Sequence, residues 1–325
     1  MDRRDFITLL GGAAVWPLAA RAQQRAMPLV GFLSNNSPAI DADRMRAFHE
    51  GLREAGYVEG DNVAILYRWA EGHTEHLPAL AADLVRRRVA VLASWGTVAG
   101  LAAKGATPTI PLVFTVSDDP VRLGLVASLA RPGSNATGYS LLQVELTAKR
   151  LGLLREIVPR AAKVATIIDP ALPQNETTLR ELETAAPAMG LKLQILKAST
   201  SGEINAAFAA LAQERPDALF LPGGRLFDAR RVQLVNLASR HAIAASYSGR
   251  EYVEAGGLMS YGPKLVESFR LIGAYTGRIL KGDKPGDLPV VQPTKFELVI
   301  NAQTAGLIGI DVPPTLLAQA DEVIE

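Results

Sequence analysis

The sequence predicts an α/β protein of two lobes, each a doubly wound parallel sheet covered by helices. Three observations lead to this prediction: the length of 325 residues, the alternation of short apolar runs with amphipathic segments, and a second start of that alternation midway along the chain. A chain of this length suits two domains better than one hydrophobic core. Strand–helix alternation is typical of parallel sheets with helices on both faces.

The first run of alternation begins at the apolar segment 29–33, which we predict to be a buried strand. The helix after it places Met45, Phe48 and Leu52 at helical spacing and ends at Gly56. The predicted strands of this run are 29–33, 63–67, 89–93 and 110–115, and its predicted helices are 41–56, 77–88, 98–105 and 121–129.

The second run repeats this organisation from residue 163 onward. Its predicted strands are 163–168, 191–196, 218–221 and 244–247, and its predicted helices are 175–189, 204–213 and 228–241. The runs are connected by extended segments at 135–140, 256–262 and 287–300, with a helix predicted at 265–280. We therefore expect a hinge made of several crossings. The predicted lobes are 28–138 plus 262–290, and 139–261 plus 291–325.

The N-terminal segment has the three regions of a signal peptide in order. Arg3 and Arg4 precede Phe6, an apolar run follows at 7–20, and a small-residue cleavage pattern ends at Ala22. The paired arginines resemble a twin-arginine signal. As a helix the run would span about 21 Å, against roughly 30 Å of bilayer hydrocarbon, which argues against a permanent anchor. We expect residues 1–22 to be removed and the protein to be exported to the periplasm.

Composition excludes several classes of function. The formal net charge is +1, so neither nucleic acid nor an anionic membrane is an expected partner. The chain has no cysteine, which excludes disulfides, thiolate metal sites, a cysteine nucleophile and a lipid-attached N-terminus. His73 and His76 lie three residues apart without a surrounding frame of ligands, and no nucleophile elbow, P-loop or dinucleotide fingerprint is present. We expect no metal, no cofactor and no enzymatic activity.

Candidate ligand contacts follow the predicted strands, because ligands of open α/β sheets bind beyond the carboxyl ends of the strands. Hydroxyls and helix starts suit a carboxylate, aspartates suit an ammonium group, and aromatic rings suit an apolar or aromatic side chain. Each residue could instead cap a helix or pack in the core. The candidates are Ser34 and Thr97 for a carboxylate, Asp118 and Asp169 for an ammonium, Trp95 and Tyr247 as stacking walls, and Asn35, Gly96, Ser117 and Gly223 as further contacts.

Several long runs of the sequence resemble one known family. These runs are 3–12, 51–60, 77–85, 131–138, 293–301 and 320–324. They are similar to the ABC transporter substrate-binding proteins of the tryptophan/tyrosine-binding type. The resemblance implies the type I periplasmic binding-protein fold, capture of a small solute in a closing cleft, and delivery to an inner-membrane ABC permease. It does not fix the solute, since segment 116–120 lacks the glycine that relatives often have near the Asp-Pro pair.

Together these observations predict a monomeric solute-binding protein for a small carboxylate, with amino-acid-like and aromatic ligands among the candidates. Two alternatives stay open. One is a sensory ligand-binding module with the same fold, which genomic neighbours would distinguish from a transport component. The other is a periplasmic enzyme on this scaffold, which would need a nucleophile or base beside a partner; the sequence offers no convincing pair.

Overall fold

A computed structural model describes residues 27–325, and the predicted signal peptide at 1–22 lies outside the described residues. The strands are β1 Leu29–Ser34, β2 Ala64–Trp69, β3 Val91–Trp95, β4 Leu112–Val116, β5 Ala136–Ser140, β6 Lys163–Ile168, β7 Lys192–Lys197, β8 Ala218–Phe220, β9 Ala244–Tyr247, β10 Met259–Gly262, β11 Glu297–Asn301 and β12 Glu322–Ile324. The helices are α1 Pro38–Glu54, α2 Leu77–Arg86, α3 Thr97–Ala106, α4 Thr147–Ile157, α5 Pro173–Ala188, α6 Ser201–Glu214, α7 Arg225–Ala229, α8 Arg231–Arg240, α9 Arg250–Glu254, α10 Leu265–Leu280, α11 Ala302–Leu307 and α12 Pro314–Leu317.

The first sheet is parallel throughout, in the order β2-β1-β3-β4-β5. Side chains alternate between its faces, as the period of a strand requires. Val30 and Phe32 pack with Phe48 of α1 and Phe269 of α10 on one face. Leu33 points to the opposite face, which α2 and α3 cover. Burial on both faces explains why these strands are continuous apolar runs in the sequence.

The second sheet has the order β12-β11-β10-β9-β8-β6-β7. Its pairings are parallel except for β10 and β11, which run antiparallel. Apolar residues of α4 and α5 cover one face, and those of α6 and α8 cover the other. The predicted α/β fold of two sheet lobes is confirmed, with one antiparallel pairing where only parallel strands were predicted.

Three crossings between the sheets lie within the described part of the chain. They are segments 141–146 after β5, 263–264 after β10, and 292–296 before β11. Val291, just before the last crossing, pairs with Tyr139 of β5. In the first crossing, Leu142 has a φ of +56°, a left-handed conformation that is unfavourable for a branched side chain. The exact division of the chain into lobes stays a prediction.

Helix α10 follows the second crossing and returns to the first lobe, where it packs along α1. Glycines bring the two backbones together: a Cβ on Gly51 would overlap the carbonyl of Arg270, and a Cβ on Gly273 would overlap the carbonyl of Phe48. The two helices are thus fitted to each other at the level of the main chain. This contact makes α10 part of the first lobe despite its late position in sequence.

Two predicted helices differ from the structure. Residues 121–129 form turns, and Gly124 has a φ of +71°, which ends any helix there. The predicted helix 228–241 is two shorter helices, α7 and α8, which meet at Arg230. Between residues 27 and 325, no helix combines the length and hydropathy needed to cross a bilayer.

Candidate functional site

A cleft between the two sheets encloses about 710 Å³ of empty space, part of it open to solvent. It lies at the carboxyl ends of strands in both lobes, where parallel α/β sheets bind ligands. The first lobe contributes the segments after β1 and β3, and the second contributes those after β8 and β9.

Six of the sequence-predicted contacts line this cleft, and four do not. Those in the cleft wall come from strand ends of both lobes. They are Asn35, Trp95, Gly96, Thr97, Ser117 and Gly223. Their direct contact with a ligand stays a prediction.

The start of α3 forms one wall of the cleft. Gly96 precedes the helix with a φ of +93°, and Thr97 is its first residue. The Thr97 hydroxyl accepts a hydrogen bond from the Ser117 backbone N–H at 3.2 Å, so its own proton remains free to donate. This wall presents donors and the positive end of a helix, which together suit an anionic group.

Ser34 and Tyr247 lie outside the cleft lining, and their contact with a ligand stays a prediction. The Ser34 hydroxyl donates to Asp41 at 3.2 Å and accepts from the Asn36 N–H. These two bonds fix the position of the hydroxyl. Tyr247 is only 1% exposed and stacks on Tyr252, with ring centroids 5.0 Å apart. Both residues position others that line the cleft.

Asp118 and Asp169 also lie outside the cleft lining, where they organise backbone. Asp118 is paired with Arg122 and accepts from Thr177 of the second lobe at 3.4 Å. Asp169 accepts from the Ala171 N–H at 3.1 Å and the Ser199 hydroxyl at 2.8 Å. Neither carboxylate lines the cleft, and a role for either as an ammonium partner stays a prediction.

A different group of charges occupies one end of the cleft. We call it the acidic cluster; it consists of Asp41, Arg44, Asp228 and Glu251. Arg44 of α1 contacts Asp41 at 3.2 Å and reaches Glu251 of α9 at 3.1 Å, which joins the two lobes. Asp228 of α7 accepts a hydrogen bond from Tyr252 at 2.8 Å. Both Asp228 and Glu251 line the cleft.

The acidic cluster holds three carboxylates and one guanidinium. Burial raises the pKa of Asp228 to about 6; nearby Arg44 opposes this change, and Glu251 and Asp41 add to it. Burial likewise raises the pKa of Asp41. With all groups ionised the cluster carries a surplus of negative charge, so a cation placed beside Asp228 and Glu251 would be stabilised.

A smaller space adjoins the cleft, and we call it the polar chamber. Its lining includes Ser117, Gln143, Gln174 and Gly223, which it shares with the cleft, and Arg150 and Asn175, which belong to it alone. Arg150 of α4 is 2% exposed, and its burial lowers the pKa of the guanidinium to about 9. The polar chamber therefore contains a buried guanidinium, whereas carboxylates outnumber the guanidinium in the acidic cluster.

Further contacts hold the lobes together around the cleft. The Arg225 guanidinium of α7 donates to the Glu71 carbonyl of the first lobe, and a Cβ on Gly72 would overlap that guanidinium. With the Arg44–Glu251 and Thr177–Asp118 contacts, this places polar bonds between the lobes on more than one side. The structure is a closed arrangement.

The charged cleft residues were missed by the sequence reasoning because they lie within helices. Asp228 and Glu251 follow β8 and β9 by a few residues, beyond the strand ends considered as candidates. The signal that could have found them is an acidic residue in the first turn of a helix that directly follows a strand. Arg44 carried no such signal, since its partner Glu251 is 207 residues away in sequence.

A family model, a curated relative and solved structures all resemble this chain over most of its length. The family model described as ABC transporter substrate binding protein matches residues 32–324. A tyrosine-binding protein of Clostridioides difficile (strain R20291) is 27% identical over 268 residues, which is 82% of this chain and 76% of that protein. A crystal structure of a conserved domain protein from Vibrio cholerae O1 biovar El Tor superposes with a TM-score of 0.84 and 29% identity, covering 91% of this chain and 99% of that one. An ABC domain from Streptococcus pneumonia in complex with L-Trp has a TM-score of 0.82 and 24% identity, with the same coverage of 91% and 99%.

Proposed function

The chain belongs to the family of ABC transporter substrate-binding proteins, and from that premise we propose that it captures an aromatic amino acid in the cleft between its lobes. The observation that carries this proposal is the negative surplus of the acidic cluster at the cleft wall. An α-ammonium group is the cation that would balance it. The similarity to a tyrosine-binding protein supports the same ligand class.

The remaining walls suit the other parts of such a ligand. Trp95, Leu141, Leu172 and Leu265 line the cleft with apolar surface, which fits an aromatic ring. The start of α3, with the free hydroxyl proton of Thr97, suits the α-carboxylate. Acidic, apolar and donor surfaces therefore lie around one space, as an aromatic zwitterion requires.

Closure of the lobes is the step that couples binding to transport in this proposal. The Arg44–Glu251 ion pair and the Arg225–Glu71 bond exist only when the lobes approach each other. A ligand that contacts both lobes binds the closed state better and shifts the population toward it. The closed protein then delivers its ligand to a membrane permease; we further propose that this happens in the periplasm, at the inner membrane.

Calorimetric titration of the purified protein with L-tryptophan, L-tyrosine and L-phenylalanine tests the ligand class. At least one should bind, and the corresponding arylpropionate, which lacks the amino group, should bind at least about 30-fold more weakly because a buried charge partner is worth about 2–5 kcal/mol. Asp228→Asn should weaken the amino acid by a similar factor. Asp43→Asn, on the exposed part of α1, is the matched control. Absence of binding by all three amino acids would overturn the proposal.

A further inference from the structure

A loop of the first lobe contacts the second lobe beside the cleft. It follows β2 and spans residues 70–76, and we call it the contact loop. Its first three N–H groups donate to the backbone carbonyls of Ser34, Asn36 and Asn35 at 2.9, 3.2 and 2.9 Å. The Asn35 amide adds a bond from Nδ2 to the Thr74 hydroxyl at 3.2 Å. Because Asn35 and Asn36 line the cleft, the position of the contact loop is tied to the cleft wall.

The turn of the contact loop is left-handed at two successive residues. Glu71 has a φ of +50° and Gly72 a φ of +93°, values that favour glycine over residues with a side chain. The Glu71 carbonyl accepts a hydrogen bond from the Arg225 guanidinium of α7, in the second lobe. A Cβ on Gly72 would overlap this guanidinium. The lack of a side chain at position 72 is therefore what allows Arg225 to reach the loop.

Arg225 belongs to the cleft wall as well as to this contact. It lines the cleft, whereas Glu71 and Gly72 lie outside the cleft lining. Burial lowers the pKa of the Arg225 guanidinium, and the nearby Glu71 carboxylate opposes that change. The bond to the Glu71 carbonyl thus satisfies part of a partly buried cation. Gly72 offers a way to change the contact between the lobes without changing a residue of the cleft.

We propose that the bond from Arg225 to the contact loop is a latch that holds the lobes closed and slows the release of ligand, with Arg225 and Gly72 as its positioning residues. This inference rests on the proposed function. The loop is held by cleft-lining residues of one lobe, and Arg225 is a cleft-lining residue of the other. A ligand that touches both walls therefore keeps both halves of the latch in place. Hydrogen bonds from a charged donor are stronger than those between neutral groups, which suits this role.

The first test adds one methyl group at the latch. Gly72→Ala displaces the flexible end of Arg225 and no backbone, so the variant should fold. The probe is whichever of L-tryptophan, L-tyrosine and L-phenylalanine binds the unmodified protein most tightly. Stopped-flow displacement should show its release about 5- to 50-fold faster, with association changed less than about twofold, because losing a hydrogen bond of the closed state acts on dissociation.

Gly60→Ala is the matched control for the left-handed turn. Gly60 has a φ of +85°, close to that of Gly72, and a Cβ there meets nothing within 4 Å. Its release rate should equal that of the unmodified protein. Unchanged release in Gly72→Ala would overturn the inference and leave the proposed function standing. Failure of all three amino acids to bind the unmodified protein would instead overturn the proposed function.

A double variant separates the latch from damage to the contact loop. In Arg225→Met the latch is already absent, so adding Gly72→Ala should change the release rate by less than about twofold. An acceleration as large as in the unmodified background would overturn the inference, since the loop would then act on the ligand through Asn35.

Closure can also be measured without a ligand. The chain has no cysteine, so Glu75→Cys and Ala229→Cys can carry one pair of spin labels. Both positions are exposed and lie close to the latch in sequence, one in each lobe. Electron–electron distance measurements should show that Gly72→Ala lowers the short-distance population at least about threefold, whereas Gly60→Ala leaves it unchanged. Identical distance distributions would overturn the inference whatever the ligand of the cleft is.

Discussion

The acidic cluster and the polar chamber are built on opposite principles. At the acidic cluster, charges from both lobes bond to one another, and Arg44 reaches from α1 to Glu251 of α9. In the polar chamber, Arg150 has no carboxylate partner in the described chain and bonds only to carbonyls of its own lobe. The difference teaches that the acidic end can hold the lobes together as well as attract a cation. Arg150 forms no bond between the lobes among residues 27–325, so it does not stabilise the closed state. It can affect ligand selection only through groups that enter the chamber.

Removing Arg44 should lower the free energy of unfolding more than the other substitutions predicted below. Arg44→Met leaves Asp41 and Glu251 without their shared cation, and loss of one partner of a buried ion pair typically costs about 3–5 kcal/mol. Urea unfolding at neutral pH measures the free energy of unfolding. Arg46→Met, on the same helix but with an exposed partner, should cost less than about 1 kcal/mol. Similar losses in both variants would show that the acidic cluster is not an energetically coupled unit.

Neutralising Asp228 should have a smaller effect on stability, with the opposite sign. Its pKa of about 6 lies above the ordinary value of 3.8, so the folded protein binds this proton more tightly than the unfolded chain. The free energy of unfolding therefore falls as the pH rises from about 4 to about 6, and stays lowered above that. Asp228→Asn removes this loss, since an amide oxygen can still accept from Tyr252.

We expect Asp228→Asn to be more stable than the unmodified protein by about 1–3 kcal/mol at pH 7.5, with the difference disappearing near pH 4. Urea unfolding at pH 4, 5.5 and 7.5 measures it. The groups facing this carboxylate are Arg44, Tyr252, Glu251 and Asp41. A difference between the two proteins that does not change with pH would show that Asp228 is not the titrating group.

Adding a methyl group at Gly223 should have the smallest effect on stability of the three changes. A Cβ on Gly223 would lie 2.8 Å from Oε1 of Gln143 and 3.0 Å from Oγ of Ser248. All three residues line the cleft, so Gly223→Ala displaces side chains at the proposed ligand site. We expect the affinity for the aromatic amino acid to fall about 3- to 10-fold, with a change in stability below about 1 kcal/mol. Calorimetry and thermal unfolding measure both. Gly202→Ala, where a Cβ meets only Thr200 at 4.0 Å, is the control. Unchanged ligand binding in Gly223→Ala would show that the ligand does not lie against Gly223.

The fold was predictable because the spacing of apolar residues within a short segment shows which faces of that strand or helix are buried. The predicted strand 163–168 and helix 265–280 coincide with β6 and α10. The prediction failed where one glycine overrides a helical pattern, as Gly124 does in 121–129. The antiparallel pairing of β10 with β11 also left no mark in the sequence, since a buried strand reads the same in either direction.

The site was predictable only in part, for a geometric reason. Parallel strands bring their carboxyl ends together, so Trp95, Thr97 and Gly223 meet at one cleft as their positions suggested. The partners of Arg44 depend instead on how two lobes face each other, which no local pattern encodes. Asp118 shows the converse: its position at a strand end suggested a ligand contact, but neighbouring donors already bind it.

The glycine contact between α1 and α10 has a consequence for the order of assembly. On the ribosome, the first sheet is complete long before α10 has been synthesised, and the whole second sheet up to β10 is made in between. Until then α1 covers this face of the sheet alone, and the apolar surface that Phe269 of α10 buries beside Phe32 and Phe48 stays exposed. Nascent chains in this interval expose apolar surface of the kind that chaperones bind. The lobe that begins the protein is thus unable to finish folding until most of the chain has emerged.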